Sequence, residues 1–545
     1  MNENSASIWE QLTDAFPDDI ACVHGDDRLN WRTFDERSAR LAAALGALGV
    51  SRDSKVAAFL YNCNEYLEVV FATFKLRAVP INVNYRFLED ELAYILADSD
   101  AEVLIFHGSL AGRVDEVRRR IPTLKGVIQI DDGSPHLDGA LRFEEVVGGH
   151  EPMARIERSG DDHYILYTGG TTGSPRGVVW RHEDLFGTLT ATYVLAGLAP
   201  PDRLDEVAER AAQVRAAGMA PTTLPASPLI HGAAFFLAQT TLTLGGTVVF
   251  LTGRSFDPDE MWRTVEKEGV TQLVIVGDTF AKPMINALES AEARGEPYDM
   301  SSVGQIVSTG VMWTAAVKQR LLDRGEMMLA DMLGASEGGP FGVSIVGPGM
   351  PVATATFKIG DRAKLLRDDE TEIPPGTDEI GMLAVAEPIP MGYYKDPEKS
   401  AQVFRTIDGV RYAIPGDYAR VAEDGTLTLL GRGSAVINSG GEKIYAEEVE
   451  EAIKLFSGVA DCVVVGMPDD RWGEAVTAVV EPTTVAVLDS SSLVAFVRTR
   501  IAAYKSPKNV VVVDRIQRSP AGKVNMRWAR ETAAERLGIE LDRQL

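Results

Sequence analysis

The chain has 545 residues, 45% hydrophobic and 24% charged, with a formal net charge of −25; this is an ordinary globular composition, long enough for about three to four domain-sized units or one large lobe with a satellite. So acidic a chain excludes nucleic acid and anionic membranes as general partners, and any anionic ligand must be met by local cations and oriented amides. Its three cysteines, Cys22, Cys63 and Cys462, form neither a metal pattern nor a disulfide framework, no apolar run is long enough to span a membrane, and Met1 to Glu10 does not read as a secretory leader, so each cysteine is expected to be a small core residue in a reducing, cytoplasmic setting.

From the amino end, helix-like and strand-like pieces alternate. Trp31 to Glu36 opens an Ala/Leu-rich helix ending near Gly49, Lys55 to Leu60 reads as a buried strand, and Glu65 to Leu76 as a helix. Val79 to Val83 is the next strand, Glu89 to Ser99 the next helix, and Val103 to Phe106 a further apolar run. Such spacing predicts βαβ units and a mostly parallel sheet. Sheets of this kind bind ligands at loops outside the carboxyl ends of their strands.

One such loop follows the apolar run Tyr164 to Leu166. It reads Tyr167-Thr168-Gly169-Gly170-Thr171-Thr172-Gly173-Ser174-Pro175-Arg176-Gly177-Val178. Three threonines, four glycines and one arginine fall between positions 168 and 177. Glycines let backbone N–H groups converge and hydroxyls add donors, so the loop can hold an anion. Arg176 adds a permanent charge in a planar fork suited to phosphate. A flexible surface turn is the alternative. No Gly-Lys-Ser/Thr closes the loop and no Gly-x-Gly-x-x-Gly runs through it, so it matches neither the Walker nor the dinucleotide pattern. A third kind of phosphate loop is the expectation.

Beyond it, Val179 to Asp184 leads into a helix through about Leu198, broken by Pro200-Pro201. Leu204 to Ala217 reads as a second helix, and Pro221 to Pro228 as an irregular return. His231 sits in a Pro/Gly-bracketed turn before the small apolar run Ala233 to Leu237, where a structural role and a place in a pocket wall are equally open. Strand candidates follow at Thr247 to Leu251, Leu273 to Val276 and Gln305 to Ser308. Asp331 to Gly339 is a second loop, in which Glu337 offers the hard oxygen that Mg²⁺ prefers; a solvated turn glutamate is the alternative. Residues 380 to 430 read as β-rich, with Gly392-Tyr393-Tyr394, Gly416-Asp417-Tyr418 and a hairpin signal at Glu423-Asp424-Gly425-Thr426. Asp417 can accept two ribose hydroxyls or be a turn aspartate. Gly431 to Ser434 reads as a joint. Roughly 110 residues follow with an alternation of their own, enough for a small α+β domain: helices at Ala446 to Phe456 and Ser490 to Ile501, the latter capped by Ser490 or Ser491, and strands at Cys462 to Gly466 and Val510 to Val513. Lys523 closes the turn Arg518 to Gly522, as a surface lysine or a reachable cation.

Tyr167–Gly177, Leu333–Glu337, Gly416-Asp417, Gly431-Arg432, Ser439-Gly440-Gly441-Glu442 and Ser519–Lys523 stand in the order and approximate spacing of the adenylate-forming enzymes. The chain resembles that superfamily over essentially its whole length. Trp180 to Asp184 and Tyr412 to Tyr418 most resemble bacterial long-chain or steroid-side-chain acyl-CoA synthetases. The resemblance implies an α/β fold: a large lobe over 1–431, with mostly parallel βαβ sheets and a β-rich subdomain, and a small mobile α+β lid over 432–545 hinged near 432–434. It implies that a carboxylic acid, MgATP and coenzyme A are the reactants, with acyl-AMP as intermediate. Thr168, Gly169, Gly170, Thr171, Thr172, Gly173 and Arg176 would hold the β- and γ-phosphates, and Glu337 with Thr168 the Mg²⁺. Thr309 to Val311, including Gly310, and Met332 to Ser336, including Gly334 and Ser336, would frame adenine. Asp417 would hold the ribose, Arg432 ribose or phosphate, and His231 would wall the acyl site. Lys523 would bridge the substrate carboxylate and the α-phosphate, and Gly440-Gly441 would line the pantetheine channel.

Three positions depart from the pattern. Arg176 and Asn438 stand where lysine is usual, with Lys443 a nearby substitute cation, and Ser434 stands at the hinge in place of Asp or Lys. Three rivals remain: an acyl-AMP ligase that loads a carrier protein, a luciferase-like oxygenase and a non-catalytic nucleotide sensor. A homodimer is left open.

Overall fold

Short apolar runs, most followed by a helix, build the sheets of this protein. A computed structural model describes residues 4–168, 175–432, 436–439, 442–469, 473–483, 488–501, 503–518 and 524–539. The chain divides into two compact units, one comprising 1–340, 344–354 and 386–413, the other 341–343, 355–385 and 414–545.

The first unit holds two largely parallel sheets. One runs in the order Leu141–Arg142, Gly126–Ile130, Ala101–His107, Lys55–Phe59, Val79–Asn82 and His163–Thr168, all parallel. Arg176–Arg181 then turns back antiparallel on His163–Thr168, and Gly392–Tyr393 adds to its far side. The other sheet places Ile20–His24, Thr247–Phe250, Thr222–Pro225, Gln272–Ile275, Gln305–Thr309 and Met328–Ala335 in parallel order. Both faces of such strands are covered by helices, so they read as unbroken apolar runs; Ala101–His107 is buried along nearly its whole length. The helix Trp31–Ala47 starts where the Asn30 side chain accepts the Thr33 N–H. Helix Asn64–Lys75 is almost wholly buried, and its buried charges are paired, Glu68 with Arg37 and Lys75 with Glu10 and Asp35.

The α/β expectation holds, with local corrections. The stretch Pro221 to Pro228 contains the interior strand Thr222–Pro225; two threonines and flanking prolines hide it in the sequence. The helix expected over Leu204 to Ala217 is a 3₁₀ turn, Leu204–Glu206, continued as an α-helix over Val207–Ala216. The one expected to reach Leu198 is α-helical only over His182–Thr190 and tightens to 3₁₀ over Ala191–Ala196. Asp331 to Gly339 is a hairpin rather than a loop, with Ser336 and Glu337 as its turn. Gly392–Tyr393, expected in the β-rich section, pairs inside the first unit. Cys22, Cys63 and Cys462 are free and buried, as expected.

The second unit carries an antiparallel sheet that includes Thr356–Ile359, Ala363–Leu366, Asp417–Val421 and Thr426–Arg432, the last two joined at Gly425. A separate sheet pairs Val436–Ser439, Glu442–Tyr445, Val459–Asp469, Gly473–Pro482 and Asn509–Val512. Helix Ala446–Lys454 packs Val449 and Ile453 into that sheet's core. The helix at Ser490–Arg498 is capped by Asp489, which accepts the Ser491 N–H at 3.0 Å, and not by a serine. Among the described residues no helix is long and apolar enough to cross a membrane.

One buried imidazole ties the amino-terminal helix to the first sheet. His182 is fully enclosed, accepts the Ser5 N–H at 3.1 Å and meets the Phe74 ring edge-on at 4.5 Å. Desolvation drives its pKa down to about 3 against the opposing pull of Asp162. The unfolded chain therefore binds a proton near pH 6.5 that the folded chain refuses. Stability on this account falls as pH drops from about 6.5 toward 3, by about 1.4 kcal/mol per unit. The His182→Asn variant keeps an acceptor without a titrating ring. Melting curves from pH 7 to pH 4.5 are expected to fall less steeply for the variant than for the parent; equal slopes would contradict this account.

Candidate active site

The Gly/Thr loop leaves and re-enters the sheet at two facing residues. Thr168 ends one strand, Arg176 begins the next, and the two are register partners in the antiparallel ladder. Gly169, Gly170, Thr171, Thr172, Gly173 and Ser174, between them, lie outside the described residues. Gly177 leaves the loop against Tyr167, where a Cβ would come within 2.9 Å of the ring. The Tyr167 hydroxyl donates to Asp98 at 2.6 Å, and burial, reinforced by that carboxylate, pushes its pKa well up.

Asn82 fixes the base of the loop. This buried amide donates to the Tyr167 carbonyl at 2.8 Å and to the Ile230 carbonyl at 2.7 Å, and accepts the Tyr167 N–H at 2.7 Å. It therefore joins the strand before the Gly/Thr loop to the residue before His231. His231 stands at the N-cap position of the helix Gly232–Thr243 and is half-buried. Gly232 lies so close to the loop strand that a Cβ would stand 2.9 Å from Leu166 Cδ2. The turn that carries His231 thus lies against the strand that leads into the Gly/Thr loop. Of the apolar residues after it, Ala234 and Phe235 belong to the packed core, Phe235 stacking on Tyr164 at 5.1 Å, while Ala233, Val311 and Met312 are only partly buried.

Glu337 reaches the same region from the hairpin turn. Its Oε1 accepts the Tyr393 hydroxyl at 2.7 Å. Arg176 Nε donates to Asp396 Oδ2 at 3.0 Å. Tyr393 pairs in register with Val178, two residues beyond Arg176. Arg176 and Glu337 are thereby linked through one short segment, and Thr168 is the register partner of Arg176. The donors are a carboxylate and a hydroxyl, both hard oxygens. Among the described residues no group of three or more His, Cys, Asp or Glu could hold a metal alone. That set fits Mg²⁺, which keeps several waters and is commonly completed by substrate phosphates.

The proposed adenine segments are neighbours. Thr309 and Met332 are register partners at the carboxyl ends of parallel strands. Gly310 follows at φ +89° with open space at its Cβ position, and Gly334 is equally open. Gly277 packs under this edge, where a Cβ would strike the Met312 carbonyl at 2.4 Å. Asp331, in the same strand, is buried on Lys318 at 2.7 Å and is structural. In the second unit the backbones of Asp417 and Arg432 are register partners in one antiparallel ladder, and those of Asn438 and Lys443 in another. Gly440, Gly441, Ser434 and Lys523 lie outside the described residues. Sequence reasoning missed Asn82, Tyr393 and Asp396. The available signals were weak: a polar residue ending an apolar parallel strand, and an Asp-Pro pair that marks a helix start.

Comparison with known proteins places the chain. Residues 9–394 match the model for AMP-binding enzymes, and residues 448–523 the model for the AMP-binding enzyme C-terminal domain. The chain belongs to the AMP-binding enzyme family. A medium/long-chain-fatty-acid–CoA/3-oxocholest-4-en-26-oate–CoA ligase of Mycobacterium tuberculosis is 39% identical over 540 residues, covering 98% of this chain and 96% of the relative. A 3-oxocholest-4-en-26-oate–CoA ligase of Rhodococcus rhodochrous is also 39% identical, over 99% of this chain and 97% of its own. The crystal structure of an anthranilate CoA ligase in complex with anthranoyl-AMP superposes with a TM-score of 0.84 at 21% identity, covering 98% of each chain, and shares the fold.

Proposed function

We propose that this chain is an AMP-forming acyl-CoA synthetase acting on a long apolar carboxylic acid, a fatty acid or a steroid side-chain acid. The observation that carries the reading is the Thr168–Arg176 pair bracketing the Gly/Thr loop, with Glu337 one tyrosine away. Full-length relatives named for such acids support the substrate class.

A carboxylate becomes an electrophile only when one of its oxygens is made a good leaving group. In the first step the acid's oxygen attacks the α-phosphorus of ATP, pyrophosphate leaves and acyl-AMP forms. In the second, the CoA thiol attacks the acyl carbonyl and AMP leaves. Phosphoryl transfer of this kind needs positioned charge more than covalent help. Arg176 and the loop hold the β- and γ-phosphates; Glu337 and Thr168 supply oxygens to Mg²⁺, which when bound offsets phosphate charge. Asp417 takes the ribose, His231 borders the carboxylate, and Lys523 meets the charge that builds between carboxylate and α-phosphate. The boundary near 432–434 is where the small domain turns between the steps. Three buried thiols support a cytoplasmic setting.

Pyrophosphate release across acetate, benzoate, long-chain and steroid acids tests the substrate class. Long-chain or steroid acids are expected to exceed acetate and benzoate by at least about tenfold in kcat/KM, since each methylene buried from water is worth about 0.8 kcal/mol. A preference for acetate or benzoate would overturn the assignment. Thioester formation with free CoA, compared with a carrier protein, tests the acceptor.

A further inference from the structure

The segment Gly392-Tyr393-Tyr394-Lys395-Asp396 grips two groups that lie far apart in sequence. Its first residue with a side chain, Tyr393, bonds Glu337 at 2.7 Å; its last, Asp396, bonds Arg176 at 3.0 Å. We propose that this turn is a positioning element that sets the metal carboxylate and the phosphate cation relative to each other. Tyr393 aims Glu337 at the divalent cation, and Asp396 aims Arg176 at the triphosphate. The inference rests on the reading of Glu337 and Arg176 given above and adds the residues that hold them.

The turn is built to be fixed. The Tyr394 N–H donates to the Gly177 carbonyl and the Met391 N–H to the Val179 carbonyl, both at 2.7 Å, which locks it to the strand leaving the phosphate loop. Ser400 Oγ accepts the Tyr393 N–H at 2.8 Å and donates to the Asp396 carbonyl at 2.6 Å. The Tyr394 hydroxyl and the Lys395 ammonium both hold Asp100, at 2.9 and 2.6 Å. Asp396 Oδ1 caps the helix Pro397–Val403 by accepting the Lys399 N–H at 2.9 Å, which leaves Oδ2 pointing at Arg176.

The chemistry follows from which atoms are used. The Tyr393 hydroxyl occupies Oε1 of Glu337, and among the described residues Oε2 has no hydrogen-bond partner. A carboxylate held by one oxygen presents the other in a set direction, and outer partners of this kind are worth 10- to 100-fold in metal affinity. Asp396 takes Nε of Arg176, and among the described residues the two terminal nitrogens have no partner. That outer edge is a fork matched to phosphate oxygens. A lysine has one nitrogen and cannot be steered through one edge while offering another. The arginine at this position and the aspartate behind it form one device.

The test uses full-length protein with Tyr393→Phe and Asp396→Ser, and with Glu337→Gln and Arg176→Ala as references. Serine keeps a helix-capping hydroxyl but is too short to reach Arg176. Mn²⁺ binding in the presence of α,β-methylene ATP, read by electron paramagnetic resonance, should weaken about tenfold in Tyr393→Phe. Affinity for α,β-methylene ATP by calorimetry should fall about five- to tenfold in Asp396→Ser, with AMP affinity unchanged. Equal losses for AMP and the triphosphate, or a melting temperature lowered enough to account for the loss, would mean the turn is only structural and would overturn the proposal. If Glu337→Gln weakens Mn²⁺ binding and Tyr393→Phe does not, or Arg176→Ala weakens triphosphate binding and Asp396→Ser does not, the positioning role fails while the assigned site stands. If neither reference variant changes binding, the underlying reading of the site fails, and this one with it.

Discussion

Lys523→Ala is expected to lower acid-dependent pyrophosphate release by at least about a hundredfold, while thioester formation from supplied acyl-AMP and CoA stays within about threefold of the parent. The asymmetry follows from where charge develops. In adenylation a carboxylate approaches a polyanion, so two negative groups must be brought within bonding distance, and a single ammonium between them is at its most valuable in that transition state. Removing one aimed donor from such a site typically costs about 10²–10³ in rate. In the second step the carboxylate charge is gone and AMP departs as a stable anion, so the same cation has little left to do. The measurement needs both half-reactions on the same preparation. Pyrophosphate release within a few-fold of the parent would remove Lys523 from the mechanism, and equal loss in both halves would make it a general binding residue.

Asn82→Ala is expected to be the most damaging substitution outside the groups assigned to bind reactants. The amide meets three backbone groups with good geometry, in a site only 7% exposed. Alanine would leave the Tyr167 N–H and the Tyr167 and Ile230 carbonyls unpaired in the interior. Each orphaned buried group costs about 1–3 kcal/mol, so a total loss of about 3 kcal/mol in stability is the expectation, allowing for partial relaxation or a bridging water. The functional loss should be larger than the stability loss alone would produce, because the residue ties the strand before the proposed phosphate loop to the turn that carries His231. KM for ATP and KM for the acid should rise together, each about tenfold or more, at temperatures where the variant is fully folded. A variant with lowered melting temperature but unchanged KM values would show that the clamp serves only the fold.

These two residues mark the limits of what the chain discloses as text. Lys523 stands out because Pro520, Ala521 and Gly522 precede it in a motif, and motifs are short enough to be read from neighbours. The loop between Thr168 and Arg176 stands out for the same reason, and so does the Asp-Gly turn at 424–425. Asn82 ends a four-residue strand and has no motif around it; its partners are 85 and 148 residues away. Tyr393 and Asp396 sit in a visible Gly-Tyr-Tyr stretch and Asp-Pro pair, yet their partners lie 56 and 220 residues away. The strand Thr222–Pro225 escaped because it is buried by what packs on it rather than by its own composition, whereas Ala101–His107 was legible because its centre, Val103 to Phe106, is wholly apolar.

The sequence alone therefore determined the α/β class, the succession along the chain of strands and helices where apolar runs are unbroken, and the candidates proposed to hold phosphate, ribose and metal. Periodicity, turn chemistry and motif spacing depend on residues within a few positions of each other, and covalent order preserves them. Tertiary structure alone decided that Thr168 faces Arg176, that one turn holds both Arg176 and Glu337, and that a single amide joins Tyr167, on the strand before the Gly/Thr loop, to the turn that carries His231. A hydrogen bond acts over about 3 Å, and which segments come that close is settled by how the sheets and helices pack, a property no local stretch of this chain contains.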